Sequence, residues 1–382
     1  MPSPDCLANA SRIYLWSMLI LDIINCLERI APPIYQESYD NAGLLTGSPG
    51  WTCTGAIIAL DATEEVVMEA VAKGCNLVVA HHPILFGGLK KINGKNYVEK
   101  AVISAIKNDI AIYAIHTNLD NVAHGVNRKI ADLVGLANCR ILSPKVGLLK
   151  KLYTFVPHAQ LAEVSSALFA AGAGHIGNYS ECSYFTDGTG TYKAGEGAQP
   201  FAGEVGLRHH EPESRLEVIF PVHLESAIVK ALRQAHPYEE VAYDIVPLAN
   251  QHNGIGSGMI GDLPEAMPEQ AFLNHLKQVF GLSVIRHTRL LNKPVRRVAV
   301  CGGAGSFLIS SALNSGADAY ITADVKYHEF FDANDMLLLA DIGHFESEQF
   351  TVDLLYDILA EKFPTFAVFK TEVRTNPVYY HT

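Results

Sequence analysis

Three short segments carry side chains able to ligate metal or move protons: His81-His82-Pro83, His116-Thr117-Asn118-Leu119-Asp120 and Gly343-His344-Phe345-Glu346-Ser347-Glu348. Mixed imidazole and carboxylate donors suit zinc, iron or manganese better than calcium or a thiolate-preferring ion. Consecutive residues of a regular strand point to opposite faces, so His81 and His82 can serve one region only where the chain bends, which Pro83 favours. Two adjacent imidazoles on a turning backbone suit two neighbouring ions, one each. His344 and Glu348 stand four apart at the mouth of an expected long helix (about Ser347 to Lys362), which puts them on one face within reach of a shared ion. His81, His82, Asp120, His344 and Glu348 are therefore the expected metal ligands, with Glu348 able to bridge. Few protein ligands per ion leave room for water, and two divalent ions sharing one would favour hydroxide near neutral pH, the chemistry of dinuclear hydrolases.

Other groups rank lower. A histidine pair often does no more than end a strand or hydrogen-bond in a core. His209-His210 is such a pair, expected in a solvated polar loop. Gly302-Gly303-Ala304-Gly305-Ser306 follows an expected strand and opens a helix, a setting that can hold phosphate on free N–H groups. It lacks a full nucleotide fingerprint and reads better as a tight turn. Asp324, Lys326, Tyr327 and His328 cluster after a strand; capping and surface charge explain them as well as chemistry does. His328, like His116, is a candidate for proton transfer.

The segments sit where an α/β architecture would put ligands, beyond the carboxyl ends of strands. The apolar run Ala56 to Leu60 leads to Thr63-Glu64-Glu65, a helix N-terminus by its hydroxyl and acids. A second strand, Asn76 to Ala80, ends at the histidine pair. A helix over about Tyr97 to Lys107 and a strand over Ala111 to Ile115 precede His116. The C-terminal part repeats this style with strands at Arg297 to Cys301, Ala319 to Thr322 and Met336 to Ala340. Between these α/β lobes, Lys151 to Leu248 reads as strand, helix, strand, a Gly-rich loop over Thr186 to Gly206, then strand, helix, strand, a ferredoxin-like α+β plan. Asn250 to Gly261, rich in Gly and Asn, looks like a linker back to the second lobe. Near the start, Ile13 to Ile30 reads as an amphipathic helix stopped at Pro32-Pro33, with a polar, frayed beginning before it.

The 382 residues are too many for one ordinary core. Hydrophobic residues at 49% and charged residues at 18% exclude a long disordered chain. The net charge of −11 and the lack of any Lys/Arg block disfavour nucleic acid as a partner. Asp22 interrupts the one stretch that approaches a membrane or targeting segment, so no membrane partner is expected. The seven cysteines are scattered and never spaced C-x-x-C, which fits reduced thiols in the cytoplasm.

Tyr39-Asp40-Asn41-Ala42-Gly43-Leu44-Leu45, Ala80-His81-His82-Pro83, His116 to Asp120 and Gly343 to Glu348, in that order, resemble the NGG-interacting-factor-three-like family. It is also called the GTP cyclohydrolase I type 2 homologue family. The resemblance runs from about Met18 onward. It implies two divalent metal ions per subunit (Zn, Fe or Mn), with His81 and Asp120 on one, His82 and His344 on the other, and Glu348 contacting both. It also implies a toroidal homohexamer and, for long bacterial forms, an inserted PII-like domain, to which His236-Pro237-Tyr238-Glu239-Glu240 is similar. The expected organisation is an extension (1–17), two halves of a metal-binding α/β core (18–149 and 250–382) and the insert (150–249). The expected activity is hydrolysis of a nucleotide or related phosphorylated molecule, with GTP ring opening as the specific case. The other reading is a metal-binding regulatory or scaffold ring without turnover.

Overall fold

The computed structural model describes residues 18–381. The expected extension, and the start of the first helix from Ile13, lie outside them. The described helix is Ile20–Ile30, and it ends just before Pro32-Pro33 as expected. The chain forms two compact units: one takes in the chain up to Leu119 together with Gln349–His381, the other Asp120–Glu348. Among the described residues no helix is long and apolar enough to cross a membrane.

The first unit is built on a five-stranded sheet in the order Gly43–Thr46, Ala111–Ala114, Leu77–His82, Ala56–Asp61, Val368–Lys370. The first pairing is antiparallel and the others are parallel. Thr63 caps the helix Glu64–Ala72 and Asn96 caps Tyr97–Lys107, each side chain accepting an N–H of the first turn. Ile57, Val66, Val78, Val102 and Ile112 are fully or nearly fully buried between these helices and the sheet, each worth about 1.5–3 kcal/mol of apolar burial.

The second unit holds two sheets. A six-stranded sheet runs Arg286–His287, Leu338–Asp341, Ala319–Ala323, Pro294–Ala304, Gln251–Pro268, Ala137–Val146. Its Pro294–Ala304, Ala319–Ala323 and Leu338–Asp341 strands are mutually parallel. A four-stranded antiparallel sheet runs Ser183–Lys193, Arg208–Pro221, Leu149–Pro157, Tyr243–Leu248. Leu152, Val156, Val218 and Phe220 on one face of it pack with Leu168, Ile228 and Leu232 of two helices, Leu161–Ala170 and Glu225–Ala235.

Several expectations are corrected. Asn250 to Gly261 is no linker but part of the 18-residue strand Gln251–Pro268, paired on both sides. Its glycines mark close strand approach rather than flexibility: a Cβ at Gly256 would lie 2.2 Å from the Ser143 carbonyl oxygen. The expected Thr186 to Gly206 loop is shorter than expected: its first part, up to Lys193, belongs to the strand Ser183–Lys193, which pairs in register with Arg208–Pro221, and the remainder joins the two strands. His209 and His210 lie in that second strand rather than a loop, and His209 Nε2 is 2.7 Å from Glu211 Oε2. The last helix is two, His344–Glu348 and Thr351–Lys362, so His344 and Glu348 span a short helix of their own. The strand Leu77–His82 also continues through both histidines instead of turning before them.

Candidate metal centre

In the first unit the parallel strands Ala56–Asp61, Leu77–His82 and Ala111–Ala114 all present their carboxyl ends at one sheet edge. That register explains how consecutive strand residues can serve one place. His81 leans to one neighbour, with Nδ1 2.9 Å from the Ile115 carbonyl oxygen; His82 leans to the other, with Nδ1 2.8 Å from Asp61 Oδ1. Their ring centroids are 5.0 Å apart, and the His116 ring lies 5.2 and 5.4 Å from them. One ligand atom from each of the three falls within 4.8 Å of the others.

His116 Nδ1 is 2.8 Å from Asp40 Oδ1, and Asp40 Oδ2 accepts from both the backbone N–H and the hydroxyl of Thr117. Burial pushes the Asp40 carboxyl up, but the bonds from His116 and Thr117 outweigh it and hold the group down to about 2. Asp61 behaves alike: burial raises it, the bonds from His82 and Thr375 prevail, and it ends below the usual carboxylate range. Both carboxylates are therefore ionised and can only accept.

In the second unit His344 and Glu348 lie one helical turn apart, with Nε2 3.0 Å from Oε2. His344 Nδ1 is 2.7 Å from Asp324 Oδ2. Asp324 adopts a left-handed backbone, φ 55°, sparsely populated for a residue with a side chain and a recurrent feature of functional turns. Asp341 ties the two loops together, accepting the Gly343 N–H on Oδ1 and the Val325 N–H and Arg286 on Oδ2. Burial nevertheless leaves the Asp341 carboxyl above its ordinary range.

The Gly302 to Ser306 run closes on Glu348. Gly303 donates its N–H to Ser347 Oγ at 3.0 Å, and a Cβ there would lie 2.4 Å from Glu348 Oε1. Asn127 joins Asp120 to the same turn, donating to the Asp120 carbonyl and accepting the Gly302 N–H, both at 3.0 Å. Burial raises the Cys301 thiol, and the Asp120 and Glu348 charges raise it further. The glycine run thus shapes a carboxylate site.

The donor chemistry fits a metal. A carbonyl oxygen cannot donate and a carboxylate oxygen accepts, so His81, His82, His116 and His344 each donate from Nδ1, which makes Nε2 the nitrogen that each would turn toward a metal. This is how metal-binding histidines are oriented by their outer partners. Asp61, Asp40, Asp324, Asp341 and Asn127 are the supporting residues; only Asp40 and Asp324 stood out in the sequence, the first inside a motif and the second in a polar cluster. His328 is exposed on the 3-10 helix Tyr327–Ala333, its ring 5.2 Å from that of Tyr327.

The Duf34/NIF3 (NGG1p interacting factor 3) profile matches residues 18–377. The chain belongs to the Duf34/NIF3 family. Among its relatives, the GTP cyclohydrolase 1 type 2 homolog of Halalkalibacterium halodurans is 39% identical over 360 residues, 93% of this chain and 97% of that protein. The Bacillus subtilis protein of the same name is 36% identical over 360 residues, 93% and 96% of the two chains. A Bacillus cereus protein related to NIF3 superposes with TM-score 0.84 at 38% identity, covering 96% of this chain and all of that one.

Proposed function

We propose that this Duf34/NIF3 chain is a dinuclear metal-dependent hydrolase acting on a nucleotide or related phosphorylated molecule. The observation that carries the reading is that four imidazoles, His81, His82, His116 and His344, are each fixed through Nδ1 and offer Nε2. The ligand assignment is His81 and Asp120 for one ion, His82 and His344 for the other, with Glu348 contacting both. Bound divalent ions would supply Lewis acidity and acidify a water toward neutral pH. His116, backed by the ionised Asp40, is the proton carrier: a carboxylate on Nδ1 holds the ring so that Nε2 can take and return a proton. His328 is assigned no more than a peripheral proton-transfer role. The subunits form a homohexameric ring in the cytoplasm, with the 150–249 segment as a PII-like insert; its βαββαβ order and sheet order support that plan.

GTP is the first substrate to test, because curated relatives carry the name GTP cyclohydrolase 1 type 2 homolog. Protein loaded in turn with zinc, iron and manganese is incubated with GTP and assayed for formate. Release that disappears in Glu348→Ala supports the specific activity; formate absent with every metal removes it. A nucleotide and phosphoester panel then tests the wider hydrolase reading. Metal-dependent binding of ligand with no turnover on that panel would leave the regulatory ring as the function.

A further inference from the structure

The inserted four-stranded sheet has one face on its two helices, and alternation sends Phe155, Glu213 and Arg215 to the other face. There a cavity of about 820 Å³ opens, lined by these residues and by Tyr192, Phe201 and Tyr238. It lies within the insert and involves none of the metal-site residues.

Glu213 is the unusual group. It is 6% exposed, and its carboxylate accepts from the Tyr238 hydroxyl at 2.7 Å. Among the described residues no cation pairs with it. Arg215, two residues along on the same face, is engaged elsewhere, with its guanidinium 3.4 Å from Glu217 Oε1 and 4.4 Å over the Tyr153 ring. His236 is spent on backbone, with Nε2 facing the Phe155 carbonyl and Nδ1 accepting the Tyr238 N–H. A carboxylate taken out of water with a neutral donor as its partner is costly unless a positive charge joins it.

The walls suit such a charge. The Tyr238 centroid is 6.0 Å from that of Tyr192 and 6.0 Å from that of Phe201, so three aromatic rings gather beside the carboxylate. The 194–201 segment is held across the opening: Glu239 accepts the Gln199 N–H at 2.9 Å, and Tyr192 donates to the Ala202 carbonyl at 2.8 Å. Gly190 lies against Glu213, where a Cβ would come within 2.0 Å of Oε2, so glycine there keeps the carboxylate's place on the sheet clear. Aromatic faces attract ammonium and guanidinium groups, and the volume suits a small organic molecule rather than a bare ion.

We propose that this cavity binds a small organic cation, with its ammonium or guanidinium group on Glu213 and its body among Tyr192, Phe201 and Tyr238. The class is set by one buried carboxylate with an aromatic enclosure; a divalent metal would call for several charged or imidazole ligands converging on one point. The site gives the insert a ligand of its own, whatever the metal centre does.

Isothermal titration of the full-length protein tests this with two matched pairs: choline against 3,3-dimethyl-1-butanol, and arginine amide against citrulline amide. At least one cation is expected to bind saturably, with its neutral partner about 10-fold weaker or more. Glu213→Gln, which keeps the shape, is expected to cost about 10-fold or more in affinity for that cation. Phe201→Ala, on an exposed segment where folding is not at stake, is expected to cost about 3-fold. Neither cation binding, equal binding of the neutral partner, or unchanged affinity in Glu213→Gln overturns the proposal. If Glu213→Gln does not fold, Phe201→Ala decides, and unchanged affinity there overturns it.

Discussion

Each imidazole in the proposed centre is held from behind, and removing a holder has a distinct signature. Asp324 combines a left-handed backbone with the bond to His344 Nδ1. Asp324→Gly relieves the backbone while releasing the imidazole, so the metal-free protein should keep its melting temperature while metal affinity falls about 10- to 100-fold. Competition with a chelating indicator measures this; unchanged affinity would mean that Asp324 does not orient a ligand. His116 makes a different test, because its ring lies with His81 and His82 yet is held by its own carboxylate. In His116→Gln, turnover should drop about 10²- to 10⁴-fold with metal content retained. Metal lost along with activity would make His116 a ligand and leave the proton carrier unassigned.

Strands rather than loops set the elements apart. The Gln251–Pro268 strand pairs with Ala137–Val146 on one side and Pro294–Ala304 on the other, so the second unit depends on a stretch rich in glycine. Its register shifts between His252 and Gly256, where the Ser143 carbonyl comes close. Gly256→Ala should therefore destabilise by about 3 kcal/mol, whereas an exposed loop glycine with open space about it and no left-handed backbone, such as Gly88, should respond far less to the same methyl. Urea unfolding compares the two; equal small losses would show that Gln251–Pro268 tolerates a side chain at its bulge. The short helix His344–Glu348 illustrates the same dependence, since Ser347 and Gly303 tie it to the neighbouring strand.

At the scale of the molecule, the first unit is assembled from both ends of the chain. Val368–Lys370 pairs in parallel with Ala56 to Ile58, and Glu69 fastens the following residues by accepting from the Thr371 hydroxyl and the Glu372 N–H. Burial pushes the Glu69 carboxyl up, but these bonds and Lys73 bring it below its ordinary 4.5. A folded value below the unfolded one means that the ionised form stabilises: the contribution is complete above about 4.5 and is lost as pH falls through the lower folded value. Glu69→Gln should cost about 1–3 kcal/mol at pH 7, and the gap from the parent should close in acid. Urea titrations across pH check the sign; a gap that widens in acid would contradict it. The proposed ring predicts a particle of about 250 kDa by light scattering, six times the 41.6 kDa chain. A monomeric mass would remove it.

The alternation of strand and helix, the caps at Thr63 and Asn96, and the candidate histidines and carboxylates were legible in the sequence because each is a local signal: periodicity, a capping side chain, or a polar residue just past an apolar run. The glycine stretches misled because a glycine that gives flexibility and one that admits a neighbouring strand look alike until the neighbour is known. Asn250 to Gly261 and the first part of Thr186 to Gly206, up to Lys193, were of the second kind. Which carboxylate holds which histidine also lay beyond local reading. Asp61 reaches His82 because their strands lie side by side in parallel register, Asp40 reaches His116 across 76 residues, and Asp341 joins two loops through its place at a strand end. The sequence by itself determined the donor types and their order along the chain. Strand order and register, which depend on the packing of distant segments, decided which supporting group holds the Nδ1 of each imidazole.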